Sequence, residues 1–312
     1  NCTDRIDSAI VGGTLNTGSD ACSFIGGGES NVISGSSGYT TIVGGCANCI
    51  CSINDGIGGL TPISGSNIVG GFNNYIFAPF SSIVGGASNT ISSDYIDGNF
   101  SNIVGGCSNT VRGNFNTITG GSSNCISSYS SNNAIVGGCA NTASGDFHFI
   151  GGGKNNRILN SLSSGSGILG GINNTIQNNG AFIVGSDLTS TANCTTFMNN
   201  ACIEGTTTTQ TLVETSARRF KECILPLQDQ IENIKKLEPV EFQWKKEKTK
   251  DIGFIAEDVL KIYPDLIAYE EDGEINGIQY SKLTTVLVKA LQQQQEQIDE
   301  LKNEIFILKS NS

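Results

Sequence analysis

The chain is short of the side chains that carry most enzyme chemistry. Among 312 residues there is one histidine, one methionine, one tryptophan and five prolines, and only 15% of positions are charged. The single histidine, His148, lies far in sequence from the nearest cysteine grouping, Cys46, Cys49 and Cys51. Cys49 and Cys51 share a period-2 face that Cys46 does not, so a zinc site is not expected, and neither metal nor cofactor is. Basic residues number 18 against 29 acidic ones, for a net charge of -11. That balance disfavours a nucleic-acid backbone as partner, because phosphate binding needs clustered Lys and Arg. No run of about 18 apolar residues occurs, and Asn1-Cys2-Thr3-Asp4 lacks the profile of a signal peptide, so membrane insertion is not expected. Met198 is the only methionine and residue 1 is Asn, which reads as a chain that begins inside a longer product or is a processed fragment.

What the chain has is glycine, 40 residues of it, in a fixed order. A unit Ile-x-Gly-Gly-x-x-Asn-x-Ile, tolerating Val or Ala at the last place, starts at Ile25, Ile42, Ile68, Ile83, Ile103, Ile118, Ile135, Ile150 and Ile168, with a truncated copy at Ile183. Fifteen residues is the basal interval, and longer intervals carry inserts at 51–67, 92–102, 127–134 and 159–167, expected to project sideways as receptor-facing surfaces. Apolar residues two apart mark short strands, and the glycine pairs permit backbone angles or close approaches denied to other residues. The expected fold is a stacked β coil, mainly β, whose rungs are each too short to bury an apolar face alone. Neighbouring rungs, and for so thin a coil neighbouring chains, must complete the core.

The repeated Asn (Asn31, Asn48, Asn74, Asn89, Asn109, Asn124, Asn141, Asn156, Asn174) reads as a structural turn ladder, bonding its own backbone or taking a left-handed conformation. A calcium-binding nonapeptide coil would need Asp at fixed turn places, and an ice-binding face a regular row of Thr. Neither is expected, since the acids are sparse and the Thr residues hold no common register in sequence. Cys46, Cys107 and Cys139 recur at one repeat position and read as buried small filler or a ladder of like residues, with disulfides as the alternative. Phe77, Phe80, Tyr95, Phe100 and Tyr129 could stack on sugars, with inter-chain packing the commoner use of such rings. Glycan hydrolysis would need paired acids facing one cleft, and Asp94, Asp97 and Asp146 have no spacing that pairs them. His148, between Phe147 and Phe149, reads as a packed rung residue.

Composition changes abruptly near Thr211: residues 1–212 hold 14 charged side chains, and 213–312 hold 33. That divides a repetitive β-coil domain, 1–212, from a small α+β domain, 213–312. In the second, Leu227–Leu237 reads as a helix, Val240–Trp244 as a strand, Lys245–Lys250 as a solvated hairpin loop, Ala256–Ile262 as a helix, Glu270–Gly273 as an acidic turn and Ile278–Tyr280 as a short strand. A final helix over 283–309 carries a coiled-coil seam of Leu287, Leu291, Gln294, Ile298, Leu301, Ile305 and Leu308, with Gln294 its polar break.

Four places then carry a resemblance: Ser216 with Arg219 and Lys221; Leu237-Glu238-Pro239-Val240 before Phe242 and Trp244; Ile252-Gly253-Phe254-Ile255-Ala256-Glu257-Asp258-Val259 with Pro264; and Ile278, Tyr280 and Leu283 leading into the final helix. Over about Glu214 to Leu308 the chain resembles the C-terminal intramolecular chaperone domain of phage endosialidases, tail spikes and tail fibres. The coil at 20–190 is similar to the glycine-rich β-roll heads of trimeric adhesins. The resemblance implies a homotrimer, folding assistance to the β part ahead, and self-release by cleavage at the leading serine. It further implies a virion surface or tail fibre assembled in the host cytoplasm, or else a cell surface, with a host glycan or protein receptor as partner.

Ser216 would attack an adjacent peptide carbonyl, with Lys221 taking its proton once burial lowers the amine from about 10.4 toward neutrality, a shift of about 3 units costing roughly 4 kcal/mol. Five residues cannot place both on one face of a regular helix, so an irregular turn is required. Arg219 is expected to hold the local backbone or a neighbouring carboxylate. Ala217 stands where the family usually has Asp, and Glu214 or Glu222 would take over that support. The alternatives are a permanent adhesin whose uncleaved C-terminal domain clamps three chains and, less favoured, a glycan-cleaving tail spike.

Overall fold

The computed structural model describes all residues except 4–6, 36–37, 53–62, 93–99, 160–164, 202, 204–206, 271 and 311–312. The chain divides into two compact units, Asn1–Thr207 and Thr208–Ser312, which puts the break five residues ahead of the change in composition.

The first unit is a parallel β-solenoid of two sheets, one of 11 strands and one of 12, with each rung contributing one strand to each. The first sheet takes the strands that follow the repeated Asn, such as Thr90–Ser92 and Thr110–Arg112. The second takes those that precede the glycine pair, such as Ser82–Ile83 and Asn102–Ile103. Strands this short bury one residue apiece, and stacking turns those single residues into columns. In the second sheet Ile83, Ile103, Ile118, Ile135, Ile150 and Ile168 lie in register. In the first sheet Ile76, Ile91, Val111 and Ile126 do the same. Both columns have no solvent exposure and form one core. Each fully buried isoleucine contributes about 1.5–3 kcal/mol, so the core grows with every rung added and not within any rung alone.

In the Gly105–Gly106 pair only the second glycine is demanded by geometry. Gly106 has φ +89, and a Cβ there would collide with the carbonyl oxygen of Gly121 on the next rung, whereas a Cβ on Gly105 would meet nothing within 4 Å. Gly105→Ala should therefore leave the thermal midpoint nearly unchanged, within about 0.5 kcal/mol. Gly106→Ala should cost at least the 1–2 kcal/mol or so of a left-handed side chain plus the collision, and a melting curve by circular dichroism separates the two.

Two parts of the coil differ from the sequence reading. An earlier rung exists, with strands Ala9–Ile10 and Thr17–Gly18, and it escapes the repeat pattern because Gly18 occupies the last apolar place. The 127–134 insert does not project. Its Ser131 bridges Asn114 and Asp146, and Ser130 and Asn133 are buried, so it is absorbed into a coil corner. The other three inserts lie largely outside the described residues.

In the second unit, Val240–Gln243 pairs antiparallel with Lys250–Gly253, and Ile267–Tyr269 with Ile275–Ile278. Helix α1 is Ile231–Ile234, α2 is Ala256–Leu260 and α3 is Tyr280–Ser310. A small core of Val259, Leu266, Ile267, Leu283 and Val286 joins α2, a 3-10 turn at Pro264–Leu266 and the start of α3. The expected helix over Leu227–Leu237 is reduced to one turn. Gln230 sits before it in a non-helical conformation, its N–H donating to Gln293 Oε1 (2.7 Å) while its Oε1 accepts from the Tyr263 hydroxyl (3.0 Å). The final helix starts at Tyr280 and not at 283, because Tyr280 ends the short strand early and opens the helix. The Lys245–Lys250 segment forms the expected exposed hairpin turn, closed by Trp244 N–H to the Thr249 carbonyl (3.0 Å).

Candidate functional site

Ser216 and Lys221 flank a 3-10 turn, Arg218–Phe220, closed by the N–H groups of Phe220 and Lys221 donating to the carbonyls of Ala217 and Arg218, each at 3.0 Å. Ala217 and Lys221 on either side are extended. This tight turn shortens the path that a regular helix would rotate out of line, and Lys221 Nζ donates to Ser216 Oγ at 2.8 Å. Both side chains are exposed in the single chain. An amine hydrogen-bonded to a hydroxyl can serve as its proton acceptor once the amine is neutral.

The three supporting residues are not gathered around this pair. Arg219 lays its guanidinium over the Phe220 ring, 4.6 Å from the centroid, instead of holding a carboxylate. Glu214 and Glu222 are exposed, and neither takes part in an ion pair among the described residues. The ring beside Arg219 offers a cation–π contact that needs no reorganisation of the extended flanks, whereas reaching either carboxylate would.

Along α3 the seam residues are exposed: Leu287, Leu291, Ile298, Leu301, Ile305 and Leu308 are between 40% and 67% accessible, and Gln294 lies open among them. By contrast Leu283 and Val286, at the start of the same helix, are buried in the unit's own core. The buried residues of the helix thus lie in its first two turns, and the seam residues beyond them are exposed. Among the described residues no helix is long and apolar enough to cross a membrane.

In the coil, the repeated Asn side chains point inward and are fully buried. Asn109 is representative. Its Nδ2 donates to the Gly105 carbonyl of its own turn (3.0 Å) and to the Gly121 carbonyl of the next rung (3.1 Å), while its Oδ1 accepts from the Asn124 N–H (3.0 Å). The left-handed residue is not the Asn but the one before it, as in Ser88, Ser108 and Ser123, each with φ +57. The ladder role therefore stands, with its geometry moved by one residue. His148 is buried in a second ladder. Its backbone N–H donates to Asn133 Oδ1 (2.7 Å), and its Nδ1 accepts from the Ser166 N–H (3.3 Å).

The cysteines are not filler. Cys107 and Cys139 are exposed and Cys46 is half-buried, because their column runs along the outside of the coil through Phe72, Ala87 and Ser122. Cys49 and Cys51, on one face of one strand, form a disulfide with Cα atoms 5.8 Å apart. Burial pushes the Cys125 thiol up, against the opposing pull of the Arg112 charge, which keeps it protonated and unreactive. Five threonines, Thr17, Thr90, Thr110, Thr142 and Thr175, do share one outer column of the first sheet, a register that the inserts hide in the sequence. Val32, Tyr75 and Arg157 interrupt it, so no flat Thr row results.

Phe80, Phe100 and Phe115 stack on one another with centroids 5.0 and 5.4 Å apart and planes 10° from parallel. The stack takes up the ring faces between them, while each ring stays about half exposed. Phe77 stacks instead on Tyr75 at 5.9 Å, and Tyr129 is exposed. Asp146 accepts from the Ser131 N–H (2.8 Å) as a turn residue. Tyr95, Asp94 and Asp97 lie outside the described residues.

No curated protein matches the chain. A family model does, and its match begins at Ser216, the hydroxyl that Lys221 contacts, and runs through the hairpin, α2 and the 3-10 turn that follows it to residue 268. Residues 216–268 of the second unit thus match the family model described as chaperone of endosialidase, in a chain whose first unit is a parallel β-solenoid.

Proposed function

We propose that this chain is a subunit of a three-chain fibre or spike at a virion surface, and that its C-terminal unit gathers three copies, helps the solenoid fold and then releases itself by cutting the backbone at Ser216. The observation that carries this reading is the 2.8 Å contact between Lys221 Nζ and Ser216 Oγ at the first residue of the chaperone-of-endosialidase match. In the proposed step Ser216 Oγ attacks an adjacent peptide carbonyl and its proton passes to Lys221 Nζ. The C–N bond breaks as the amine takes a proton, and water hydrolyses the resulting ester. Exposure of both side chains in the single chain supports a gate: desolvation that favours a neutral amine has to come from other copies, so cutting follows assembly. The solenoid, once folded, would present its corners and inserts to a glycan or protein on the host.

Sedimentation of the full chain at micromolar concentration, run beside a denaturing gel, tests the reading. Three-chain particles together with two fragments from a cut next to Ser216 are expected. Three-chain particles with only the 32.7 kDa band would make the second unit a permanent clamp, and single chains would remove the fibre altogether.

A further inference from the structure

Each buried isoleucine of the second sheet, from Ile10 to Ile183, is flanked by two residues on the opposite side of the strand. The position after it is aliphatic on most rungs, giving a row that includes Val43, Val69, Val84, Val104, Val136 and Leu169, each between 45% and 56% exposed. These side chains add nothing to the solenoid's own core, which the isoleucines fill. Where the row lacks a side chain, at Gly26 and Gly151, a phenylalanine two residues earlier leans over the gap: Cε1 of Phe24 and of Phe149 lie 3.5 and 3.4 Å from where a Cβ would stand. The relief of the face is thereby kept level along the coil.

Charge sets this face apart. None of the residues flanking those isoleucines is Asp, Glu, Lys or Arg, whereas the outer face of the first sheet carries Arg112 and Arg157, and the column beyond the glycine pair carries Glu29 and Lys154. An aliphatic row of this length, interrupted at Gly26, Thr119 and Gly151, bordered by Ala, Phe, Thr, Ser, Asn and Gly and free of charge, is unusual on a surface that faces water.

The geometry points to the outer face of the second sheet as the surface on which further copies of this chain pack, rung against rung. The inference rests on the three-chain reading and names the surface that reading leaves open. A second copy is the occupant that fits. Every rung repeats the same outline, so copies match without offset, and a row placed at a threefold axis meets both neighbours at once. Eleven rungs at about 4.8 Å make a strip about 50 Å long, and at about 10 Å wide it covers about 500 Å² on each chain, so three chains together bury about 1,500 Å², in the range of specific contacts.

The test places a photo-crosslinking benzoylphenylalanine at Val104 in the full chain and, in a second protein, at Thr110 on the first sheet of the same rung, with sedimentation of each. Irradiation is expected to give at least tenfold more chain-to-chain product on a denaturing gel from position 104 than from 110, in particles of three chains. Three-chain particles that crosslink equally from both positions, more from 110, or from neither would overturn this face while leaving the assembly intact. Single chains with no crosslink from either would instead overturn the three-chain reading on which it stands.

Discussion

Ser216→Ala should leave only full-length chain on a denaturing gel, under conditions in which the unmodified protein is cut. The hydroxyl is the nucleophile of the proposed reaction, and loss of a nucleophile from a unit of this kind costs about a thousandfold or more in rate. Lys221→Ala should do the same, since Lys221 Nζ is the donor seen on Ser216 Oγ. Lys221→Arg sharpens the argument: it keeps the positive charge and the hydrogen bond, but a guanidinium does not give up its proton, so cutting should still fail. If Lys221→Arg is cut normally, the lysine acts only as a tether and the base lies elsewhere. All three variants should still form three-chain particles, because neither side chain packs into a core. Ala217→Asp should raise the cleaved fraction if the resemblance is right that this place supports the reaction.

The second large effect lies in the asparagine ladder. Asn109→Leu keeps the volume nearly constant but strips the Gly105 carbonyl of its side-chain donor and the Asn124 N–H of its acceptor, both in the buried interior. Each orphaned buried group costs about 1–3 kcal/mol, so the solenoid should lose about 2–5 kcal/mol in a denaturant titration. Thr110→Ala, one residue on and pointing outward, should change stability by less than about 0.5 kcal/mol. Equal effects at the two positions would mean that the ladder is ornamental and the isoleucine columns alone hold the coil. Losses here should also slow unaided refolding, since an Asn contacts the rung on either side and a gap breaks the line along which rungs add.

Much of this was legible in the sequence for a simple reason: a coil repeats its physics, so a residue required once is required every rung. The isoleucine spacing, the recurring asparagines and the change in composition near Thr211 all announce themselves through recurrence or its loss, but that the asparagines point inward does not. What stayed hidden is what recurrence blurs. The rung at Ile10 is invisible because Gly18 can close a strand by backbone pairing without an apolar side chain. The threonine column is scattered in sequence by inserts that leave the register between rungs untouched. Which residue of the corner turns left-handed is a backbone matter that Ala47, Ser88 and Asn73 all satisfy, so no residue type flags it. In the second unit, long-range bonds decide: periodicity favours a helix over Leu227–Leu237, but Gln230 is held by Gln293 and Tyr263 out of helical geometry. The Ser216–Lys221 pair was foreseeable only together with the need for an irregular turn, which Arg218–Phe220 provides. Its supporting cast was not, because an arginine next to a phenylalanine has a local partner that sequence distance to a carboxylate does not reveal.

Because every bond of the asparagine ladder runs only to adjacent rungs, the coil has no fixed count built into it. Excising one fifteen-residue period, 104–118, would bring Thr119 into the place of Val104 and let Asn124 meet Asn89 as Asn109 did. Reach is then inherited in discrete steps of about 4.8 Å. A coil of this kind can gain or lose whole rungs without redesign of either end.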